Sequence, residues 1–400
     1  MRFPGFEDEW ETKKLGEIAT FSKGKGISKS DIEENGITEC IRYGELYTHY
    51  GEVINKIRSR TNLDVSTLIL SEKNDVIIPA SGETAIDIAT ASCVIKSGVA
   101  LSGDLNIIKS KINGIFLSYY LNSKKKLEIA NLAQGISVVH LYSSQLASLS
   151  LNLPKYKEQY KIASFFSLLD ERIATQNKII EELNVLKTNM AKRIFSRQLR
   201  FKNASGDNYG DWKTKKFGDV TTLINKRNKN NEKLPVYSIN NKLGFVPQSE
   251  QFEGVDSEDR GYDITLYKII DKNTFAYNPA RINVGSIGYS GYLENIIISS
   301  LYVCFKTDES VNDNFLFQYI KTDFFNKEVL RNVEGGVRDY LFYENFARIK
   351  FDLPCVEEQR KIADYLSSID LKIDIETQFL NKLEEQKKFL LQQMFVGSVN

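Results

Sequence analysis

The chain has 400 residues, of which 42% are hydrophobic and 26% charged, and its formal net charge is +1 at pH 7. The composition is typical of a soluble globular protein, and the length predicts roughly two to four compact units. No apolar run reaches the ~18 residues that a membrane span needs. Because binding depends on where the positive charges lie, the balanced total neither indicates nor excludes a nucleic-acid partner.

Cysteine and histidine are too sparse to predict a metal site or a histidine-based catalytic site. His49 and His140 are the two histidines, and we expect both to be structural or surface residues. The cysteines show no CxxC or Cys/His spacing, which predicts reduced thiols in a cytoplasmic protein and no zinc site; they are Cys40, Cys93, Cys304 and Cys355. The N-terminal string "MRFPGFEDEW" lacks the basic start and the apolar stretch of a secretory signal.

The first recognisable string is "WETKKLGEI", which begins at Trp10. The lysines that follow it could neutralise DNA phosphates, although an ordinary solvated loop explains them equally well; they are Lys23, Lys25 and Lys29. The surrounding "GKGISKS" resembles a phosphate-binding loop, but Ser28 stands where that motif needs glycine. The string therefore does not predict a nucleoside triphosphatase.

A mixed α/β region with many strands is predicted next. Strands are expected in "NDVIIPASG" (74–82) and "ASCVIKSGVALSG" (91–103), because β-branched residues are bounded there by turn formers. A short helix is expected in "FLSYYLNSKKKLEIANL" (116–132). The turn "PASGETAID" (79–87) bears polar side chains that are candidates for DNA contact, namely Ser81, Glu83 and Thr84.

A long helix is predicted over residues 155–196, a stretch without proline or glycine. Pro154 suits the first helical turn, and Glu158 is well placed near the positive helix start. Residues spaced alternately by three and four form a mainly apolar seam, as in a coiled coil. The seam consists of Phe166, Leu169, Ile173, Gln176, Ile180, Leu183, Lys187, Met190 and Ile194.

The loop "RFKNASGDNYGDW" (200–212) connects this helix to a second copy of the opening string. "WKTKKFGDV", beginning at Trp212, shares Trp, Thr, two Lys and Gly with "WETKKLGEI". A second basic cluster follows and is again a candidate for phosphate contact or a solvated loop; it comprises Lys226, Arg227, Lys229 and Lys233.

The string "YNPARINVGSIGY" (277–289) is the most promising candidate for chemistry. An amino-group methyltransferase needs Asn/Asp-Pro-Pro-aromatic to hold its target base. Here Asn278-Pro279 is followed by Ala280 and Arg281, so the second proline and the stacking ring are missing. Together with the absence of a Gly-rich cofactor-binding turn, this argues against catalysis by the chain.

The same string could bind DNA. Arg and Asn are suited to read guanine and adenine edges, and Gly285 and Gly288 would let the backbone approach a ligand closely. A strand-turn-strand with ordinary polar decoration is an equally good explanation. The candidate DNA contacts are Tyr277, Arg281, Asn283 and Ser286, with Arg338 as a weaker one beyond Gly335-Gly336.

The remaining predictions repeat those of the first half. A strand is predicted within 295–307, a short helix within 315–332, and a second long helix over 355–396. Eight of the 17 positions in 154–170 match those in 354–370. The second seam comprises Leu366, Ile369, Ile373, Glu376, Leu380, Leu383, Lys387, Leu390 and Met394.

This internal repeat predicts a pseudo-twofold molecule. Two variable units would be separated by two long helices that form an antiparallel coiled coil; two amphipathic helices on separate domain cores are the alternative. The predicted segments are a variable unit at 1–150, a helix at 151–199, a variable unit at 200–350 and a helix at 351–400.

The duplicated layout, the helix openings "LP…EQ.KIA" and the "W…K.G" strings together resemble the specificity subunit of Type I restriction-modification enzymes. The resemblance covers nearly the whole chain. It implies that the variable units are mixed α/β target recognition domains, each reading one half of a bipartite, asymmetric target in double-stranded DNA. It also implies that the helices set the spacing and dock two modification subunits.

The resemblance further implies that this chain is not an enzyme by itself and holds no cofactor or metal. S-adenosylmethionine would be bound by the modification subunits, which methylate adenine at N6, and ATP and Mg²⁺ would be used by restriction subunits. Two other functions stay open from the residues alone. A structural coiled-coil scaffold would explain the helices but not two different units, and a self-contained methyltransferase would need a motif that is not found.

Overall fold

The computed structural model describes residues 1–135, 137–251, 261, 263–334 and 339–395. The chain divides into two compact units. Unit 1 comprises Met1–Asn177 and Gln378–Asn400, and unit 2 comprises Lys178–Thr377. Each long helix therefore contributes residues to both units, whereas the predicted boundaries treat each helix as a segment of its own.

Unit 1 is a mixed α/β unit. Its strands are β1 (Glu11–Lys14), β2 (Ala19–Lys23), β3 (Thr38–Ile41), β4 (Val53–Ile54), β5 (Ser59–Thr61), β6 (Ile69–Leu70), β7 (Asp75–Pro79), β8 (Ser81–Gly82), β9 (Ser92–Val94), β10 (Ala100–Leu101), β11 (Leu105–Ser110), β12 (Val139–His140) and β13 (Ser150–Leu153). Its helices are α1 (Leu15–Ile18), α2 (Tyr43–Thr48), α3 (Ala85–Ile88), α4 (Gly114–Tyr120), α5 (Lys126–Leu132), α6 (Ser143–Ala147) and the first part of α7 (Tyr156–Phe195).

Two sheets form the body of unit 1. The larger has the strand order β2-β11-β7-β9-β4, and the smaller has the order β5-β3-β10-β6. Strand β4 pairs in parallel with β9, and β3 pairs in parallel with β10, while the other pairs are antiparallel. The main hydrophobic core lies between the larger sheet and the helices, and Phe395 at the end of the chain's last helix is fully buried in it.

Unit 2 is also mixed α/β. Its strands are β14 (Lys213–Lys216), β15 (Thr221–Ile224), β16 (Val236–Asn240), β17 (Gly244–Pro247), β18 (Lys268–Ile270), β19 (Phe275–Tyr277), β20 (Ile287–Tyr289), β21 (Ile296–Ile298), β22 (Val303–Thr307) and β23 (Lys350–Leu353). Its helices are the last part of α7, then α8 (Phe217–Val220), α9 (Gln248–Gln251), α10 (Asp313–Tyr319), α11 (Asp323–Asn332), α12 (Tyr343–Phe346) and the first part of α13 (Val356–Met394).

The sheets of unit 2 repeat the frame of unit 1. One sheet has the order β15-β22-β19-β20 and the other the order β17-β16-β21-β18. As in unit 1, the second sheet contains one parallel pair, β16 with β21. The difference lies at one edge: the first sheet of unit 1 ends in β4, and the described part of unit 2 has no strand in that place.

The repeated strings of the sequence meet in space within each unit. Strand β1 pairs antiparallel with β13, and β14 pairs antiparallel with β23 in the same register. A side chain at Gly16 would put its Cβ 3.0 Å from that of Ala147, and one at Gly218 would lie 2.9 Å from that of Ala347. These two close contacts explain why the glycine recurs in both strings.

The two long helices were predicted at 155–196 and 355–396, and their existence is confirmed by α7 and α13. A recurring glutamine anchors the start of each helix. Gln159 donates to the Pro154 carbonyl (2.8 Å) and accepts from the amide of Asn113 (3.0 Å). Gln359 makes the same pair of contacts with Pro354 and Asn312, at 2.9 and 2.7 Å. The side-chain amide of each glutamine therefore links the start of a long helix to a shorter helix. The shorter helix is α4, capped by Asn113, in unit 1 and α10, capped by Asn312, in unit 2.

A recurring glutamate is buried beside each glutamine. Both carboxylate oxygens of Glu158 accept from the guanidinium of Arg2, at 2.9 and 2.6 Å. Those of Glu358 accept from Arg200 at 3.1 and 2.7 Å, and Glu358 also accepts from the indole of Trp212 at 3.0 Å. Arg-Phe recurs at 2–3 and 200–201, and Glu-Gln recurs at 158–159 and 358–359. In each unit the arginine of the first pair and the glutamate of the second form one buried contact.

All predicted seam residues of both helices are buried or half-buried. The lysine position of each seam forms an ion pair within its own unit. In unit 1, the ammonium of Lys387 lies 2.7 Å from a carboxylate oxygen of Asp170. In unit 2, that of Lys187 lies 2.5 Å from Asp370. The two lysines that interrupt the seams are therefore paired charges.

Candidate nucleic-acid interface

A polar cleft in unit 2 is formed by two turns. One turn joins β16 to β17, and the other joins β19 to β20. The cleft has a volume of about 400 Å³. Its lining residues are Ile239, Asn240, Asn241, Lys242, Asn278, Arg281, Ser286 and Tyr302.

Backbone contacts fix the turn between β19 and β20. The amide of Asn278 donates to the carbonyl of Ser286 (2.9 Å), and that of Arg281 donates to the carbonyl of Asn278 (3.0 Å). Gly285 has a φ of +91°, and a Cβ there would lie 3.0 Å from the carbonyl oxygen of Asn241. Glycine is required because this backbone is left-handed and packs directly against the other turn.

Among the described residues, cationic and amide side chains line the cleft and no carboxylate does. The side chain of Arg281 is exposed. The side-chain oxygen of Asn240 accepts from the amide of Lys242 (2.8 Å), which holds this second turn in shape. Arginine and asparagine can pair with guanine and adenine edges, and lysine can pair with phosphate. The arrangement is suited to bind the edge and the backbone of a nucleic acid.

Two of the predicted contacts in this string need correction. Tyr277 is fully buried, and its ring packs against Phe305 and Phe346 in the core of unit 2. Its hydroxyl has no hydrogen-bond partner among the described residues, and burial raises its pKa. Ser286 lines the cleft but is buried, and its hydroxyl donates to the Ile239 carbonyl (3.1 Å). Both side chains are therefore structural, because Tyr277 packs in the core of unit 2 and the Ser286 hydroxyl is bonded to a backbone carbonyl.

Three of the other predicted contacts of unit 2 lie apart from the cleft lining. Asn283 is half-buried, with its amide nitrogen 3.5 Å from Asp339. Lys226 is exposed 3.5 Å from Asp271, and Arg227 is exposed beside it. Arg338 lies outside the described residues. The cleft amides Asn240, Asn241 and Asn278 were missed in the sequence, where they look like ordinary turn residues.

The equivalent turn of unit 1 carries different chemistry. Ser81 is buried in β8, whereas Glu83 and Thr84 are exposed. Thr84 caps α3 by accepting from the amide of Asp87 (3.2 Å). Burial raises the pKa of the Tyr47 phenol, and Tyr43, Glu83 and Asp87 raise it further. This turn therefore presents carboxylates, beside the phenols of helix α2, where unit 2 presents arginine and amides.

Aromatic side chains accompany both turns, and all of them except the half-buried Tyr340 are exposed. His140 stacks on Tyr142 in unit 1, and Tyr340 stacks on Phe342 in unit 2 with 5.7 Å between the ring centroids. Aromatic faces of this kind can stack on bases. The lysines predicted in unit 1 are all exposed, and the ammonium of Lys23 lies 6.0 Å from the Tyr142 ring; the others are Lys25 and Lys29.

The described residues contain neither a metal-ligand cluster nor a helix that could cross a membrane. No group of three or more His, Cys, Asp or Glu side chains there could hold a metal ion. In the same part of the chain, no helix combines the length and the apolar character that a membrane crossing requires.

Comparison with known proteins identifies the family. The model of the Type I restriction modification DNA specificity domain matches residues 7–185 and again 209–385. The Type I restriction enzyme MjaVIII specificity subunit of Methanocaldococcus jannaschii is 25% identical over 422 aligned residues, covering 98% of this chain and 93% of that protein. The putative MjaX specificity subunit of the same organism is 26% identical over 304 residues, covering 73% of this chain and 69% of that protein.

A solved structure shares the fold. The S subunit of a Type-I restriction-modification system from M. genitalium has a TM-score of 0.63, with 17% identity over 99% of this chain and 98% of that chain. The predicted resemblance is thus confirmed by two matches to one family model, one for each half of the sequence repeat. The chain belongs to the Type I restriction-modification specificity subunits, and its two variable units are DNA target recognition domains.

Proposed function

We propose that each unit reads one half of a bipartite, asymmetric target in double-stranded DNA. The observation that carries this proposal is a shared frame with different turns. Both units have the same core strand order, but the turn of unit 2 bears Arg281 and amides where that of unit 1 bears Glu83 and Asp87. Arginine pairs with guanine and a carboxylate accepts from cytosine, so the two half-sites should differ.

We assign catalysis to partners rather than to this chain. In this proposal two modification subunits bind S-adenosylmethionine and methylate adenine at N6, and restriction subunits use ATP and Mg²⁺. The near-identical openings of α7 and α13 support it, because two copies of one partner need two equivalent surfaces. We propose that the seams of the two helices form an antiparallel coiled coil that sets the half-site spacing, in a cytoplasmic complex.

Exchange of residues 20–150 for the same segment of another specificity subunit tests the division of labour. The chain is co-expressed with a modification subunit, and N6-methyladenine is mapped across the host DNA. We expect one half of the methylated sequence to change while the other half and its register persist. A change in both halves, or methylation without the chain, would contradict the proposal.

Replacement of Arg281 by alanine tests the cleft of unit 2. The side chain is exposed, so the turn should keep its backbone hydrogen bonds. We expect binding of the methyltransferase complex to its target to weaken by about 1–3 kcal/mol, with relaxed preference at one base pair of one half-site. Equilibrium binding to duplexes that vary at single positions measures this effect.

The matched control is Arg331→Ala. Arg331 is exposed on α11 of the same unit and pairs with Glu328 (2.5 Å), away from the cleft lining. The Arg331→Ala substitution removes the same charge as Arg281→Ala and should leave the base preference unchanged. Equal weakening by both substitutions, with no change in preference, would reduce Arg281 to a general electrostatic contribution.

A further inference from the structure

The seam lysine of unit 1 has two carboxylate partners. The ammonium of Lys387 lies 2.7 Å from Asp170 and 3.2 Å from Glu52. Burial acts to lower the pKa of Lys387, but the two carboxylates outweigh it and the pKa is raised. Glu52 directly precedes β4, the edge strand that completes the larger sheet. Unit 1 thus neutralises this lysine with a carboxylate supplied by its additional strand.

The equivalent lysine of unit 2 lacks the second carboxylate. Lys187 pairs with Asp370 at 2.5 Å, and no other described carboxylate lies within ion-pair distance of it. A second lysine, Lys321, stands nearby on the segment between α10 and α11. The part of unit 2 that the structure describes has no strand matching β4, the strand that Glu52 precedes in unit 1.

A cavity of about 340 Å³ lies at this place. It is lined by four lysines and one carboxylate, with an aromatic ring on one side. Apart from Lys187, its lysines form no ion pair with any described residue. The lining residues are Asn184, Lys187, Thr188, Ala191, Lys192, Gln318, Lys321, Thr322, Asp323, Phe324 and Lys327.

The charges in the cavity are unbalanced. The ammonium of Lys321 lies 3.8 Å from the centre of the Phe317 ring, which displaces water from it. Desolvation of this ammonium lowers its pKa, repulsion from Lys187 lowers it further, and Asp370 and Asp374 only partly oppose the shift. The side chain of Lys321 as a whole is exposed, so water still screens part of this repulsion. An anion bound in the cavity would relieve the repulsion between the lysines that remains.

We propose that this cavity binds a small molecule that carries a phosphate group. Four lysines face a single carboxylate, Asp323, in the lining, and an excess of positive charge remains when Asp370 and Asp374 beside it are also counted. A phosphate monoester carries about −1.5 to −2 at neutral pH, which is enough to neutralise that excess. The volume exceeds that of a phosphate group alone, and Phe324 and Ala191 offer an apolar wall for the rest of the ligand.

Titration of the full chain with inorganic pyrophosphate, at fixed ionic strength in a calorimeter, tests this site. We expect one saturable site per chain, because Glu52 already fills the equivalent place in unit 1. Lys321→Gln combined with Lys327→Gln should weaken the binding at least about tenfold, since charge-assisted hydrogen bonds to phosphate are lost. Lys213→Gln combined with Lys215→Gln removes the same charge from exposed strand β14 and should leave the affinity unchanged.

Lys192→Gln provides a second test if the double variant fails to fold. This exposed side chain makes no described ion pair, and its loss should also weaken pyrophosphate binding. The proposal is overturned if no saturable binding occurs, if two equal sites appear, or if the β14 control loses as much affinity as the cavity variants. Displacement of pyrophosphate by duplex DNA would overturn the small-molecule assignment and give the cavity to the DNA backbone.

Discussion

Replacing Glu358 with glutamine is expected to lower the free energy of unfolding of unit 2 by about 3 kcal/mol. The carboxylate is fully buried and accepts from both the Arg200 guanidinium and the Trp212 indole. Glutamine keeps the shape of the side chain but leaves the Arg200 charge without its counterion. Such a charge is costly in a buried contact because water cannot replace the lost partner.

The sequence supplies a convenient probe for this experiment. Trp10 and Trp212 are the two tryptophans of the chain, one in each unit. In a Trp10→Phe background, the fluorescence of Trp212 reports urea unfolding of unit 2 at the site of the change. The expected result is a lower midpoint without loss of cooperativity.

Glu158→Gln is the matched control in unit 1. The side chain of Arg2 is 31% exposed against 21% for Arg200, so water can solvate more of the unpaired charge. The indole nitrogen of Trp10 has no hydrogen-bond partner among the described residues, unlike that of Trp212. We therefore expect a smaller loss in unit 1. Equal losses at the two positions would show that the indole contact and the burial of arginine contribute little.

Replacing Phe395 with alanine is expected to destabilise unit 1 by about 3–5 kcal/mol. The ring is fully buried, with centroids 5.6 Å from that of Phe116, 5.5 Å from that of Tyr120 and 5.8 Å from that of Phe166. Removing it deletes contacts with three aromatic rings and leaves a cavity. Urea unfolding in a Trp212→Phe background, followed by Trp10 fluorescence, measures the loss.

Phe389→Ala on the same helix is the control. This ring is 54% exposed, so its removal should change the stability by no more than about 0.5 kcal/mol. The pair of variants separates the loss of core packing from any general effect on helix α13. A similar midpoint for both variants would mean that the end of the chain contributes little to the core of unit 1.

The long helices were predictable because their pattern is local. An uninterrupted seam of about forty residues, opened by proline and a first-turn glutamate, needs no knowledge of distant contacts. The observed helices begin at Tyr156 and Val356, close to the predicted starts. The hydrogen bonds of the recurring glutamate and glutamine could not be predicted from the sequence, because their partners lie far away in the chain or in another element.

The cleft of unit 2 was only partly predictable, because its residues come from turns that are far apart in the sequence. Arg281 was found because arginine beside glycines is a local signal. Asn240 joins it only because the two sheets of unit 2 pack so that the turn after β16 lies against the turn after β19. Tyr277 was wrongly expected to be accessible, because a tyrosine in a short strand gives no sign that both faces of that strand are covered.

The division of the chain also imposes an order on its synthesis. Unit 2 is one continuous segment, Lys178–Thr377, and is complete before translation ends. Unit 1 begins first but also includes Gln378–Asn400, which the ribosome makes only after unit 2. N-terminal units usually fold first as a chain emerges, yet here the second unit can close while the first still lacks Phe395. The hydrophobic core of unit 1 therefore stays incomplete during synthesis until the last part of α13 and Phe395 have been made.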